Sequence, residues 1–176
     1  MAKVYFSLGS NQGDRINFLA KAVHMIAKQI GKIECLSDVI ESEPWGFETD
    51  TAFYNMALAV ETGLEPHQVL EAILGIEECL GRVRTGNGYS NRPIDIDILF
   101  YDGIHLVSDQ LVVPHPLLHQ RNFVLFPLND IAPHFLHPVF NKTVNNLFLD
   151  ADDSSRIELA MQKEAFEQLL KTITMI

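Results

Sequence analysis

An alternating run near the middle of the chain restricts the possible fold more than any other segment. Residues 91–100 read NRPIDIDILF, in which isoleucines alternate with acidic residues at a period of two. This period is typical of a β-strand with one face in the core and the other face exposed. Asp95 and Asp97 are therefore predicted to share one face of a strand, while the isoleucines beside them share the opposite face.

The acidic face of this strand has the composition of a magnesium site. Backbones two residues apart on a strand lie about 7 Å apart, so the carboxyl groups of Asp95 and Asp97 can converge on one point. Two carboxylates at that separation repel by about 2 kcal/mol at an effective dielectric near 20, and a divalent cation removes this repulsion. Hard oxygen ligands favour Mg²⁺ over zinc. Alternatively, both aspartates are solvated on the outer face of an antiparallel sheet.

The positive charge in this part of the chain consists of arginine alone. Between residues 33 and 141 there is no lysine, and the cationic side chains are Arg82, Arg84, Arg92 and Arg121. Planar guanidinium groups bind phosphate oxygens through several hydrogen bonds at once. An acidic pair together with arginines favours Mg²⁺-nucleotide chemistry. Alternatively, Arg82 and Arg84 are surface residues that interact with a helix dipole.

The composition limits the classes of partner. A chain of 176 residues fits one domain, and a net charge of −10 argues against non-specific nucleic-acid binding. We find no run of apolar residues long enough to span a membrane and no signal peptide. Cys35 and Cys79 lack the spacing of a disulfide framework or a zinc motif. We therefore expect one cytoplasmic domain over residues 1–176, without nucleic-acid, membrane or obligate protein partners.

The order of periodic segments predicts an α+β fold. An apolar stripe after Asp14 and a second one from Pro66 to about Leu80 predict two helices. Strands are expected at residues 3–8, 33–41 and 53–61, and at the Asp95/Asp97 segment. The resulting order β-α-β-β-α-β is the ferredoxin-like arrangement with an antiparallel sheet. We expect the core at residues 3–135 and an extension at 141–176, in which residues 156–174 form an amphipathic helix.

Several motifs occur in an order that resembles a known enzyme family. They are FSLGSNQGD at 6–14, FYN at 53–55, Glu77 followed by GRVR at 81–84, RPIDIDILFY at 92–101, PHP at 114–116, and RNFVL with a later PL at 121–128. Over about residues 3 to 135 the chain resembles the 6-hydroxymethyl-7,8-dihydropterin pyrophosphokinases (HPPK) of folate biosynthesis. The resemblance implies a ferredoxin-like fold. It also implies transfer of the β,γ-diphosphoryl group of ATP to the hydroxymethyl group of the dihydropterin, with release of AMP.

The resemblance also implies roles for individual residues. Two Mg²⁺ ions are implied on Asp95 and Asp97, and these aspartates would form the catalytic set with Arg82 and Arg92. The implied ATP-binding residues are Glu77, Arg84, Arg92, Ile98, His115 and Arg121. The implied pterin-binding residues are Ser42, Pro44, Trp45, Gly46, Phe53, Asn55, Asp95 and Phe123. Two aromatic walls and one amide suit a flat heterocycle. Without the resemblance, the phenylalanines would be interpreted as core residues and Asn55 as solvent-facing.

Some positions depart from the pattern of the family. Leu74, Gln110 and Tyr89 replace residues that touch the nucleotide or close the loop in other members, which affects the expected nucleotide affinity and loop kinetics. Residues 9–13 lack the Lys-Ser/Thr of a Walker A motif and are interpreted as a tight turn under the pterin site. We expect residues 82–91 to become ordered when both substrates are bound.

Two other functions remain open on the residues alone. The acidic pair and the arginines would also suit a Mg²⁺-dependent nucleotide pyrophosphohydrolase, in which water is the acceptor. A ferredoxin-like module could also be a non-catalytic binding domain, although the chain lacks basic-aromatic runs for RNA. Dependence of AMP release on a pterin separates these functions.

Overall fold

The computed structural model describes residues 1–83 and 90–173. Its strands are β1 (Ala2–Ser10), β2 (Gly31–Leu36), β3 (Val39–Ser42), β4 (Phe53–Thr62), β5 (Asp95–Tyr101), β6 (Leu106–Val107), β7 (Val112–Val113) and β8 (Ile157–Met161). Its α-helices are α1 (Arg15–Gln29), α2 (Pro66–Cys79), α3 (Asn122–Ile131), α4 (Val144–Asp150) and α5 (Lys163–Ile173), with a short 3-10 turn at Leu118–Gln120 before α3.

The main sheet is antiparallel and has the order β5-β1-β4-β3-β8, with β2 also paired to β4. Because β2 and β3 lie along the same side of β4, they take the place of one long strand. The order is then that of a ferredoxin-like sheet with one added edge strand, β8. The predicted α+β, ferredoxin-like fold is confirmed.

Helices cover both faces of this sheet. On one face, α1, α2 and α5 enclose a core that contains Phe6, Leu8, Ile26 and Phe166. On the other face, α3 and α4 pack over a second core around Phe100. The central strand β1 is consequently buried on both sides along most of its length. None of the described helices is long and apolar enough to cross a membrane.

The ends of the first two helices follow from local sequence. The carboxylate of Asp14 accepts the N–H of Asn17 at 3.1 Å and caps α1. Pro66 occupies the first turn of α2, where its missing N–H costs no helical hydrogen bond. The side chain of Gln68 accepts the backbone N–H of Glu65 and closes a capping box.

The strand predicted at residues 33–41 is interrupted at Ser37 and Asp38. The hydroxyl of Ser37 accepts the N–H of Ala57 at 2.8 Å, and the N–H of Ser37 donates to the carbonyl of Ala57. The hydroxyl of Ser37 therefore takes the place of the backbone carbonyl that would accept the N–H of Ala57 in a regular sheet. β2 and β3 then pair with different parts of β4, and β3 reaches the end of the sheet where Ser42 lies.

The prediction of one helix over residues 156–174 was wrong for its first part. Ile157, Leu159 and Met161 alternate with polar or small residues, which is a strand period, and the edge of β3 offers a partner. The helix begins only at Lys163, whose N–H is bound by the side chain of Asp38 at 2.8 Å. Phe166 then anchors α5 in the core, where it is fully buried.

Candidate active site

A row of three residues on adjacent strands forms the floor of the candidate site. Gly9 of β1 pairs with Asp95 of β5 on one side and with Asn55 of β4 on the other. Residues directly opposite one another in antiparallel strands face the same side of the sheet. A side chain at Gly9 would place its Cβ 2.8 Å from Oδ1 of Asn55. Glycine thus keeps open the space between a carboxylate and an amide.

The floor lies at the base of a cavity of about 510 Å³, here called the aromatic cavity. Its lining combines aromatic, acidic and arginine side chains: Ser7, Gly9, Ser42, Glu43, Trp45, Phe47, Phe53, Asn55, Arg82, Arg92, Asp95, Asp97, His115, Pro116, Leu117, Arg121 and Phe123. The apolar part can hold a flat ring, and the charged part can hold an anionic group beside it. Arg92, Asp95 and Asp97 come from one short segment, and Arg82 and Arg121 reach the same cavity from before and after it.

The amide of Asn55 is held in place inside the protein. Its Nδ2 donates to the hydroxyl of Ser42 at 2.8 Å, and the Asn55 residue is only 2% exposed. Phe53 stands beside it, with the ring of Phe47 edge-on at 6.2 Å. The solvent-facing alternative for Asn55 is therefore wrong, because its side chain is a buried polar group turned toward the cavity.

Asp95 is held by two arginines that also line the cavity. Arg92 lies 2.9 Å from one carboxylate oxygen, and Arg82 binds the other oxygen. Arg82 also contacts the carboxylate of Glu77 at 2.5 Å. Glu77 is 1% exposed and accepts the N–H of Ile96 at 2.8 Å. This buried glutamate therefore orients Arg82 and the start of β5 together, from behind the cavity wall.

Asp97 has a different environment from Asp95. Burial and the neighbouring charge of Asp95 raise the pKa of Asp97 to about 7. His115 approaches it, with Nε2 3.9 Å from a carboxylate oxygen. Burial and the charge of Arg121 lower the pKa of His115 to about 4, so this histidine is neutral at pH 7. Asp97 is therefore only partly ionised at pH 7, and a further cation beside it would favour its charged form.

Arg121 lies between two aromatic rings in the wall of the cavity. Its guanidinium carbon is 4.3 Å from the ring centre of Trp45 and 5.8 Å from that of Phe123. This geometry is typical of a cation–π contact. It connects the loop after β3 with the start of α3, so that the aromatic and the charged parts of the cavity share one wall.

A second cavity of about 890 Å³, here called the side groove, opens beside the first. The two share Asp97, His115 and Pro116, so a molecule lying across them would pass over Asp97. The side groove is lined by His67, Gln68, Leu70, Glu71, Ile73, Leu74, Ile96, Asp97, Ile98, Gln110, Leu111, Val112, His115 and Pro116. The departures Leu74 and Gln110 are both in its wall.

The structure brings most of the residues selected from the sequence into these two cavities. The aromatic cavity contains Ser42, Trp45, Phe53, Asn55, Arg82, Arg92, Asp95, Asp97, His115, Arg121 and Phe123, and the side groove adds Ile98. Pro44 and Gly46 belong to the same loop but do not line the aromatic cavity. Glu77 lies behind it. Residues 84–89, which include Arg84 and Tyr89, lie outside the described residues. They form most of the segment 82–91 that is expected to become ordered when both substrates are bound.

Several residues of the site were not selected from the sequence. Ser7 lines the cavity beside Asp97, its partner in the sheet. Asn11 accepts the N–H of Arg92 at 2.8 Å through its side chain and donates to Asn91 at 2.7 Å, so it holds the segment that carries Arg92. Only the polar character of Asn11 directly after a strand could have indicated this role. Its contacts span about eighty residues of sequence.

The interpretation of residues 9–13 as a tight turn needs correction. β1 continues through Gly9 to Ser10, because both residues pair with β4. The chain turns only afterwards, where Gly13 adopts a positive φ of 64° that favours glycine. Gly9 is therefore required for the space above it rather than for a bend.

Comparison with known proteins gives a consistent assignment. Residues 5–133 match the sequence model described as 7,8-dihydro-6-hydroxymethylpterin-pyrophosphokinase (HPPK). A 2-amino-4-hydroxy-6-hydroxymethyldihydropteridine pyrophosphokinase of Porphyromonas gingivalis is 46% identical over 141 residues, which cover 78% of this chain and 95% of that relative. The enzyme of the same name from Aquifex aeolicus is 41% identical over 142 residues, covering 81% and 88%.

A solved structure agrees on the fold. The wild-type HPPK-DHPS protein of Plasmodium falciparum superimposes with a TM-score of 0.68 at 20% sequence identity. The match covers 84% of this chain and 44% of that protein, so this chain spans less than half of its length. The extent and identity of the sequence matches confirm the resemblance inferred from the motifs, and the chain belongs to the 7,8-dihydro-6-hydroxymethylpterin-pyrophosphokinase (HPPK) family.

Proposed function

We propose that this protein transfers the diphosphoryl group of ATP to the hydroxymethyl group of 6-hydroxymethyl-7,8-dihydropterin and releases AMP, a step of folate biosynthesis. The observation that carries this proposal is the row Asp95–Gly9–Asn55, which joins a carboxylate site to an aromatic cavity. In the reaction the hydroxymethyl oxygen attacks the β-phosphorus of ATP. The bond to the bridging oxygen of the α-phosphate breaks, AMP leaves, and the hydroxyl proton is released.

The pterin ring is assigned to the apolar half of the aromatic cavity. Phe53 and Phe123 lie on its walls and supply the stacking surfaces, each worth about 1–3 kcal/mol. Asn55 offers an amide whose position is set by Ser42. An amide presents both a donor and an acceptor, as the amide edge of a pterin requires. This orientation would direct the hydroxymethyl group toward Asp95 and Asp97.

ATP is assigned to the side groove and the shared wall. The adenosine part would lie against Ile98 and Leu111, and the phosphates would pass over Asp97 toward the arginines. Arg82, Arg92 and Arg121 would neutralise the phosphate oxygens as negative charge moves to the leaving group. Leu74 stands where other family members carry a polar residue that touches the nucleotide. In this chain the position would therefore contribute to nucleotide binding through apolar packing alone.

The residues at the shared wall fit Mg²⁺. Asp97 carries a raised pKa, and Asp95 lies next to it on the same face of β5. No group of three or more His, Cys, Asp or Glu side chains able to hold a metal occurs among residues 1–83 and 90–173. Asp95 and Asp97 would thus share the metal coordination with water and phosphate, as Mg²⁺ sites commonly do. Two bound Mg²⁺ would supply charge neutralisation and ease deprotonation of the hydroxymethyl group.

A product assay tests the proposed reaction. The protein is incubated with ATP, Mg²⁺ and the dihydropterin, with and without the pterin, and AMP is separated from ADP. We expect AMP and a diphosphorylated pterin in equal amounts, formed only when the pterin is present. AMP without pterin would indicate a pyrophosphohydrolase, and ADP would indicate transfer of a single phosphoryl group. Absence of any product would indicate a non-catalytic binding domain.

Replacement of Gly9 by alanine is expected to weaken pterin binding. The new Cβ would lie 2.8 Å from Oδ1 of Asn55, so the Asn55 amide must move out of its place. We expect KM for the pterin to rise about tenfold, the equivalent of one misplaced hydrogen-bonding group, with KM for ATP nearly unchanged. Steady-state kinetics in each substrate measure this. Gly75→Ala, whose Cβ meets nothing within 4 Å, serves as the control. Equal pterin KM values for the two variants would contradict the assignment of the floor.

Magnesium binding is expected to weaken below pH 7. Burial and the charge of Asp95 raise the pKa of Asp97 to about 7, so protons compete with the metal for this carboxylate as the pH falls. Between pH 7 and pH 6 the apparent affinity should fall about fivefold, because the ionised fraction of a carboxyl group with a pKa of about 7 falls from about one half to about one tenth. Calorimetric titrations with Mg²⁺ and a non-hydrolysable ATP analogue, in two buffers of different ionisation enthalpy, would measure the Mg²⁺ affinity and the number of protons released on binding. An affinity that does not change between pH 6 and 8 would contradict this role.

We also propose a reducing, cytoplasmic location. Cys35 and Cys79 are both free thiols, and Cys79 is exposed. Exposed thiols persist as such in reducing compartments. Fractionation of the native cells, with a thiol-labelling test of Cys79, would examine this point.

A further inference from the structure

The segment after α4 contacts the candidate site at two places. β8 pairs with β3 and sets Ile157 opposite Ser42, whose hydroxyl holds Asn55. Before β8, the carboxylate of Asp153 accepts the backbone N–H of Asn122 at 2.8 Å. Both contacts originate beyond the part of the chain that matches the family model.

Asp153 caps a helix that begins about thirty residues earlier in the chain. Asn122 is the first residue of α3, and Arg121, in the capping position, makes no side-chain cap. N–H groups in the first turn of a helix have no partner within the helix, and a carboxylate there also interacts favourably with the helix dipole. The side-chain amide of Asn122 donates in turn to the carbonyl of Asp153.

The carboxylate of Asp153 is itself held in one orientation. The N–H of Ser155 donates to its other oxygen at 2.9 Å, and the Ser155 hydroxyl donates to that same oxygen. Burial alone would raise the pKa of Asp153. The hydrogen bonds from Ser155 and Asn122 outweigh it and hold this pKa below its ordinary value. Asp153 is therefore a charged and directed acceptor at neutral pH.

The capped residue lies between two side chains of the aromatic cavity. Arg121 and Phe123 flank Asn122, and both line the cavity. The guanidinium of Arg121 lies over the ring of Trp45 at 4.3 Å. A shift of the backbone at Asn122 would move both neighbours, because they share its peptide bonds.

We propose that Asp153 is a positioning residue for the reaction: by holding the backbone of Asn122, it sets Arg121 and Phe123 against the aromatic cavity. This inference rests on the proposed function for its kinetic consequence. Its structural consequence, the position of Arg121 against Trp45, holds without any substrate. A purely stabilising cap would change the thermal midpoint and leave both consequences unaffected.

Asp153→Ala in the full-length protein tests this role, with Asp152→Ala as the matched control. Asp152 is exposed and precedes Asp153 directly. For Asp153→Ala we expect about a tenfold lower kcat/KM for the pterin, mostly through KM, because Arg121 and Phe123 would no longer be held against the aromatic cavity; this corresponds to about 1.4 kcal/mol of lost binding. Asp152→Ala should match the wild type. Wild-type KM for the pterin in a folded Asp153→Ala protein would overturn the proposal.

Trp45 gives a second readout that needs no catalysis, because it is the only tryptophan in the chain. In Asp153→Ala we expect a changed emission spectrum and greater quenching by acrylamide, since Arg121 no longer covers the ring. Unchanged emission and quenching in that folded variant would overturn the positioning role even if the kinetics could not be measured.

The two proposals fail in different ways. Absence of pterin-dependent AMP from the wild type would reject the proposed function, and the Trp45 readout would still decide the role of Asp153. If Asp153→Ala does not fold, Ser155→Ala removes only the hydroxyl that orients Asp153. We then expect a smaller change of Trp45 emission and pterin KM in the same direction, and no change in either would overturn the proposal.

Discussion

Replacement of Asp97 by alanine is expected to lower turnover about 10³-fold while the protein remains folded. Asp97 lies on the cavity face of β5, at the wall shared by the aromatic cavity and the side groove. Its loss would remove the carboxylate proposed to hold Mg²⁺ and with it several kcal/mol of charge stabilisation in the transition state. Burial and the charge of Asp95 raise its pKa, so its removal also relieves charge repulsion, and we expect no loss of stability. AMP formation at saturating substrates measures the effect.

Two further variants make this result specific. Asp97→Asn keeps the size of the side chain and removes its charge, so it should lose turnover to a similar extent. Asp109→Asn removes an exposed carboxylate that lines neither cavity and should retain full activity. Activity of Asp97→Ala within a few-fold of the wild type at saturating Mg²⁺ would reject the metal site proposed here.

Replacement of Glu77 by alanine is expected to reduce stability by about 3–5 kcal/mol, since it breaks a buried ion pair with Arg82 and removes the acceptor of the buried N–H of Ile96. Glu77 is 1% exposed, contacts Arg82 at 2.5 Å and accepts the N–H of Ile96. In a chain of this size the thermal midpoint should fall by about 10 °C. Turnover should fall as well, because Arg82 and Asp95 lose the group that orients them. Thermal and urea unfolding measure the stability change.

Glu78→Ala is the matched control for this loss. Glu78 is the next residue of α2 and is exposed, so its removal should change the unfolding free energy by less than about 0.5 kcal/mol. Glu77→Gln keeps an acceptor for the N–H of Ile96 and should lie between the two. If Glu77→Ala and Glu78→Ala unfolded at the same urea concentration, the buried ion pair would not contribute to stability.

Much of the fold was predictable because single segments carried strong periodic patterns. Residues 95–98 alternate strictly between aspartate and isoleucine, and the structure has β5 there, with its isoleucines in the core. The break at Ser37 was not predictable, since it depends on a contact between its hydroxyl and the N–H of Ala57 on another strand. β8 was missed for a similar reason. Its residues fit a helical stripe as well as a strand, and only the free edge of β3 decides between the two.

The candidate site was predictable where a motif carried its chemistry. Asp95 and Arg92 were selected by residue type and spacing, and Phe53 was selected through the family resemblance; all three line one cavity. Supporting residues were harder to find. Asn11 and Asp153 are ordinary polar residues in the sequence, and their roles depend on backbone groups brought near them by folding. Sequence patterns therefore indicate the residues that would touch a ligand better than those that hold these residues in place.

The added edge strand has a consequence for self-association. Strands at the edge of a sheet expose unpaired backbone groups that can template the addition of another chain. Without β8 this edge would be β3, and a foreign strand would bind directly beside Ser42 at the rim of the aromatic cavity. With β8 present, the available edge is one strand further out, carries Glu158 and is only five residues long. Any aggregation seeded on this side of the sheet would therefore begin away from the aromatic cavity and leave it intact.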